Sequence, residues 1–103
     1  MKDRKPFAFA GLWDEWQSPD GGAVRTCTII TTEPNDLMST LHNRMPVILA
    51  PKDYALWLDP APQTPEKLIH LIKPFPADNM SAHPVSTLVN KPGNDRPECV
   101  VPA

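Results

Sequence analysis

Cysteine is almost absent from this chain: Cys27 and Cys99 are the only two in 103 residues. A pair so far apart excludes a disulfide-rich scaffold and any short-spaced metal knuckle. An excess of one charge is missing as well, since ten basic residues stand against twelve acidic ones for a formal net charge of −2. That balance excludes polyanion binding by composition alone, so a nucleic-acid contact needs a basic patch assembled by folding. No apolar run reaches the roughly 20 residues that span a bilayer. No signal-peptide pattern and no internal repeat are visible. These absences predict one soluble, cytoplasmic domain over residues 1–103, with no membrane partner, no cofactor and no metal.

What is abundant is proline, 14 residues of 103, against a usual share of roughly 5%. The prolines lie beside apolar runs throughout the chain, which favours many short elements joined by rigid turns over disorder. The same spread argues against a helical bundle. With 41% hydrophobic residues, a small core is within reach, although a chain of this length buries only a modest share of its surface.

Phe7-Ala8-Phe9-Ala10-Gly11-Leu12-Trp13 predicts a strand packed on both faces and ending at Asp14-Glu15-Trp16. Ser18-Pro19-Asp20-Gly21-Gly22 is a turn cluster. Val24 to Thr32 is rich in β-branched residues and predicts the returning strand of a hairpin, with Cys27 a buried free thiol within it. Thr32 or Glu33 is placed to cap a short helix with Pro34 at its first position, turning Leu37 and Leu41 toward the core. Val47-Ile48-Leu49 predicts a buried strand. Helices are expected from Pro51 through Leu58 and from Glu66 to Ile72, the latter with Leu68, Ile69 and Ile72 as its apolar stripe. A short strand is expected over His83-Pro84-Val85-Ser86 and Leu88-Val89, and a final edge strand at Cys99–Pro102. The fold class is α+β, with strands predominating over short helices.

The segment Leu41–Leu49 carries the most chemistry. His42 supplies an acid, a base or a ligand near neutral pH. Arg44 adds a fixed cationic fork suited to phosphate or carboxylate. A simpler account makes His42 a helix C-cap and Arg44 a surface ion-pair partner. Thr31 leaves the second strand one short element before His42, so a strand–helix–strand unit brings the two near each other. Asp14 and Glu15 are either acid–base carboxylates or solvated strand-end residues. His83 is either a second imidazole of the site or a structural one, and His70 falls on a solvated helix face. Cys27 lacks any cue for an activated thiolate. The chain thus offers an acid or base without a nucleophile.

With these residues in view, the chain resembles the SOS-response-associated peptidase family, the SRAP domains. The resemblance rests on Pro6–Trp13, Cys27–Thr32, His42–Leu49, Trp57-Leu58 and His83–Ser86 with Val89-Asn90, in order through almost the whole chain. It implies a mostly antiparallel, barrel-like sheet with a few short helices. It also implies recognition of abasic sites in single-stranded DNA and a thiazolidine cross-link through a cysteine exposed at the N-terminus. On that resemblance His42 assists proton transfer, Arg44 holds a DNA phosphate and Thr31 lines the same pocket.

The departures from the family pattern are as informative. Met1 is followed by Lys2 rather than cysteine. The cysteine-glycine-arginine start, the asparagine-alanine-arginine segment and the catalytic glutamate of the family have no counterpart; Glu15-Trp16 lies on the wrong side of the matching strand to be the last of these. The chain is therefore expected to represent the C-terminal portion of an SRAP domain, inactive alone and completed by an N-terminal half chain or by self-association. Two alternatives stand beside it. One is a non-catalytic module binding single-stranded DNA, with Trp13, Trp16 and Trp57 either stacking on bases or packed in the core. The other is a hydrolase acting through Cys27.

Overall fold

A computed structural model describes all residues from Met1 to Ala103. Strands β1 (Ala8–Phe9), β2 (Gly11–Gln17), β3 (Ala23–Ile29), β4 (Thr31–Thr32), β5 (Met45–Pro46) and β6 (Ile48–Leu49) pair as three separate two-stranded antiparallel sheets, β1 with β6, β2 with β3 and β4 with β5. The α+β class and the antiparallel pairing agree with the sequence reading. The three sheets remain separate two-stranded ladders and no closed barrel is formed, each extended segment dividing its pairing between two neighbours.

That division happens at three residues. Ala10 separates β1 from β2, Ile30 separates β3 from β4, and Val47 separates β5 from β6. Their backbones close a ring of hydrogen bonds: Ala10 N–H donates to Val47 O (2.8 Å), Val47 N–H to Ile30 O (2.8 Å) and Ile30 N–H to Ala10 O (2.9 Å). All three ladders converge there, and Ala10 and Val47 are wholly buried. A buried backbone group must be paired, and at this hub each segment satisfies one neighbour's donor and another's acceptor.

The core grows from the hub. Ala10, Val47, Leu49 and Leu71 form its centre, with Ile30, Tyr54, Leu56, Trp57 and Leu68 packed around them. Pro51 opens a 3₁₀ turn at Pro51–Asp53 that continues into α1 (Tyr54–Leu58), and Pro65 opens α2 (Pro65–Ile69). Both starts follow the preference of proline for the first helical turn. The Trp57 indole N–H reaches Gly11 O at 3.0 Å and ties α1 to β2. Glycine suits the close approach there, since a Cβ on Gly11 would lie 3.1 Å from Thr28 O and that carbonyl would have to shift.

Several expectations are corrected. The first strand does not end at Asp14-Glu15-Trp16 but runs on to Gln17. It is not packed on both faces: Trp13 is 71% exposed and Trp16 59%. Cys27 is exposed rather than buried, because every residue of β3 faces solvent. The helix expected after Pro34 is a single 3₁₀ turn, Met38–Thr40, and Leu41 is exposed. Of the stripe expected on the third helix, Leu68 packs on the core but Ile69 and Ile72 are exposed; α2 ends at Ile69, and the inward residue beyond it is Leu71 in the following turn. The strand expected through Leu88-Val89 is instead a 3₁₀ turn, Thr87–Asn90, capped by the Ser86 side chain, and the expected C-terminal strand is a 3₁₀ turn, Pro97–Val100, followed by a single bridge between Val85 and Pro102.

Only seven residues are buried, and the exposed surface is 8251 Å². A compact chain of this mass exposes about 5,800 Å². The Cα radius of gyration is 17.3 Å, where a compact domain of this length has about 13 Å. The β2–β3 hairpin contributes to the excess, with every residue of β3 and most of β2 exposed.

Candidate nucleic-acid site at His42, Arg44 and Thr31

Pairing between β4 and β5 sets Thr31 opposite Pro46 and Thr32 opposite Met45. This register carries Arg44, the residue entering β5, alongside Thr31. The Arg44 guanidinium donates from Nη2 to Thr31 O (2.8 Å) and Oγ1 (3.1 Å), and from Nε to Thr31 Oγ1 (3.3 Å). One face of the planar fork is thereby fixed on a threonine, which brings no negative charge. The structure's single ion pair joins Arg25 to Glu15 instead. Arg44 is therefore an ordered, exposed cation with no carboxylate partner, and an incoming anion meets a guanidinium whose conformation is already set.

His42 precedes Arg44 by two residues and is locked to it. The Arg44 backbone N–H donates to His42 Nδ1 at 3.0 Å. A backbone N–H can only donate, so Nδ1 is the acceptor and the neutral ring carries its proton on Nε2. The Arg44 carbonyl also lies 3.2 Å from Nδ1, so the protonated ring finds an acceptor at the same nitrogen. Nε2 makes no hydrogen bond within the chain, and His42 is exposed. Such an imidazole can exchange a proton with a ligand through Nε2 while Nδ1 keeps its orientation.

The three residues singled out from sequence thus form one constellation, with a difference in detail. Thr31 acts on Arg44 and not on His42: its hydroxyl and carbonyl are both occupied by the guanidinium. His83 does not join them, since its Nε2 is bonded to Val100 O at 2.9 Å. Glu15 is held by Arg25, and His70 lies exposed beyond α2. Cys27 is accessible, yet no imidazole hydrogen-bonds to it: His42 bonds through Nδ1 to Arg44 and His83 through Nε2 to Val100 O. No group of three His, Cys, Asp or Glu side chains converges in metal-binding geometry.

Sequence reasoning missed Asn35, which stands behind the constellation. Its Oδ1 accepts from Met38 N–H at 2.9 Å and its Nδ2 donates to Phe75 O at 2.6 Å. The signal was present: Pro-Asn-Asp at 34–36 is a turn tripeptide, and asparagine is a leading capping residue. The sequence reading placed the cap at Thr32 or Glu33 instead.

Comparison with known proteins gives the constellation its context. Abasic site processing protein YoqW of Bacillus subtilis (strain 168) is 48% identical over 100 residues, covering 97% of this chain and 45% of YoqW. Abasic site processing protein HMCES of Gallus gallus is 46% identical over 96 residues, covering 90% of this chain and 28% of HMCES. A crystal structure of a protein from Bacteroides thetaiotaomicron superposes with a TM-score of 0.83 at 32% identity, over 98% of this chain and 45% of that one. The chain spans less than half the length of these relatives. No helix is long and apolar enough to cross a membrane. Residues 1–92 match the family described as SOS response associated peptidase (SRAP), and with the curated relatives this establishes that the chain belongs to the SRAP family.

Proposed function

We propose that this chain supplies the phosphate-gripping and proton-transferring side of a site that processes abasic lesions in single-stranded DNA. The observation that carries the reading is the Arg44 fork, ordered on Thr31 beside an imidazole whose outward nitrogen is free. Arg44 holds a backbone phosphate of the strand, Thr31 keeps the guanidinium in place, and His42 moves a proton through Nε2. The relatives named as abasic site processing proteins support the choice of DNA as partner.

The covalent step belongs to a cysteine that this chain does not present. In the family pattern the α-amine and thiol of an N-terminal cysteine add to the aldehyde of the opened abasic sugar and close a thiazolidine, with loss of water. Here the thiols are Cys27 in β3 and the buried Cys99. On this reading the nucleophile comes from a segment of the SRAP domain outside the matched region, which is less than half of each relative's length. That segment docks on the β2–β3 hairpin and the open sheet edges, completing the barrel-like sheet. The surface excess of about 2,500 Å² over a compact chain is large enough for such an interface.

The test mixes this chain with abasic single-stranded DNA, with and without a polypeptide comprising the part of YoqW outside the matched region, and resolves the products on a denaturing gel. A covalent adduct is expected only when both pieces are present, and it weakens with His42→Ala. An adduct from this chain alone would overturn the assignment of the nucleophile.

A second reading, a non-catalytic or self-associating module, draws support from the exposed Trp13 and Trp16 on an unpaired hairpin. Base stacking is worth about 1–3 kcal/mol per aromatic. In that case Trp13→Ala weakens single-strand binding more than Arg44→Ala does.

A further inference from the structure

Asn35 lies at the centre of a continuous hydrogen-bonded path that ends on His42. All four of its polar groups are used. Its N–H meets Met45 Sδ at 3.3 Å, its carbonyl accepts from Ser39 N–H at 2.8 Å, and its Oδ1 accepts from Met38 N–H at 2.9 Å. Its Nδ2 donates to Phe75 O at 2.6 Å and contacts Met80 Sδ at 3.4 Å. The amide orientation is fixed without ambiguity, because Met38 N–H can only donate and Phe75 O can only accept. One residue therefore joins the buried Met45 of β5, the 3₁₀ turn 38–40 and the distant loop at 75–80.

The path continues from Met38. Its carbonyl accepts from both Leu41 N–H and His42 N–H, each at 2.9 Å. Arg44 N–H then fixes the His42 ring. His42 is thus held by its backbone through Met38 to Asn35 and by its ring through Arg44 to Thr31. The second of these supports is local to the site. The first is the one that reaches the loop at 75–80, and the turn itself contains no fully buried residue, Met38 being half-buried, so packing alone holds it weakly. A one-turn 3₁₀ element with an exposed Leu41 has little intrinsic stability.

We infer that Asn35 is a positioning residue for His42, setting the imidazole's place by capping Met38 and bracing that turn against Phe75. The inference rests on reading His42 as the proton-transferring group. Its test uses no DNA, so that reading and this one fail separately.

Amide hydrogen exchange followed by NMR on the full chain reads the effect directly. In the parent chain the His42 amide is protected. Asn35→Ala removes the Met38 acceptor, and His42 exchange accelerates about fivefold or more, the ordinary worth of a cap, while the Ile30 and Val47 amides of the hub keep their rates. Asn35→Ser keeps a neutral oxygen for Met38 N–H but loses the donor to Phe75 O, so its His42 rate falls between those of the parent and Asn35→Ala. Equal acceleration at His42, Ile30 and Val47 would mark Asn35 as a general stability residue and overturn the proposal. So would an unprotected His42 amide in the parent chain or an unchanged His42 rate in Asn35→Ala. Should Asn35→Ala not fold, Asn35→Ser decides: acceleration confined to His42 and its turn supports the assignment, and an unchanged His42 rate or a uniform acceleration refutes it.

Discussion

Replacing Thr31 with valine separates the two jobs that the Arg44 site performs, providing charge and holding that charge still. Valine matches threonine in shape but removes Oγ1, and with it the contacts to Nη2 at 3.1 Å and Nε at 3.3 Å. The bond from Nη2 to Thr31 O at 2.8 Å survives. The site is exposed, so the lost contacts are screened and count for far less than buried charged hydrogen bonds. What is chiefly lost is order: immobilising a long side chain costs about 0.5–1.5 kcal/mol, which the parent protein meets before ligand arrives. Thr31→Val should therefore weaken single-stranded DNA binding about three- to tenfold. Its salt dependence should not change, because no phosphate contact disappears. Arg44→Ala should weaken binding and also flatten the plot of log affinity against log salt by about 0.7, the contribution of one phosphate on a single strand. Fluorescence anisotropy with an abasic oligonucleotide between about 50 and 200 mM salt makes the comparison. A Thr31→Val slope as flat as that of Arg44→Ala would refute the division of labour. An Arg44→Ala slope equal to the parent's would remove the phosphate contact altogether.

Val47→Ala removes two methyl groups from the centre of the hub and should lower stability by about 2 kcal/mol, read as a shift in the urea midpoint by circular dichroism. Iodoacetamide should label Cys27 well before Cys99, whose thiol is buried and 3.6 Å from Asn94 O; mass spectrometry of timed samples identifies the order. The Ser18 hydroxyl first, and the Gly22 N–H second, hold the Asp20 carboxyl below its usual range in the hairpin turn. A lowered carboxyl stabilises the folded turn above the unfolded-state value, and that contribution is lost as pH falls through the folded one. The Gly22 amide should therefore lose protection in acid, and Asp20→Asn should remove that dependence.

How much of this was legible in the sequence differs sharply between site and fold. His42, Arg44 and Thr31 could be read because their chemistry is local: a rigid Met-Pro step fixes the strand entry, and a strand exit places the threonine. Val47, Ile48 and Leu49 were equally plain as a buried run. The β2–β3 hairpin was placed correctly, yet its burial was misjudged, since Trp13 and Cys27 have the hydropathy of core residues. Alternation shows which residues share a face and does not show whether anything covers that face. The hub was invisible for another reason. Ala10 and Ile30 look like ordinary strand interiors, and the change of pairing partner at each depends on segments distant in the chain. Asn35 carried a turn signal, but its partner Phe75 lies forty residues on, beyond any local pattern.

The ring of bonds at Ala10, Ile30 and Val47 also bears on the order of folding. The hairpin needs only contacts close in sequence and can form early. The ring needs three separate segments to arrive together, so its loop-closure entropy is met late. Thr31 follows Ile30 directly and Arg44 lies just ahead of β5, so the last backbone closure is also the event that brings guanidinium and threonine together. An incompletely folded chain has the histidine and the arginine but does not hold them as a site. Order at the Arg44–Thr31 pair is therefore gained together with the native topology rather than before it.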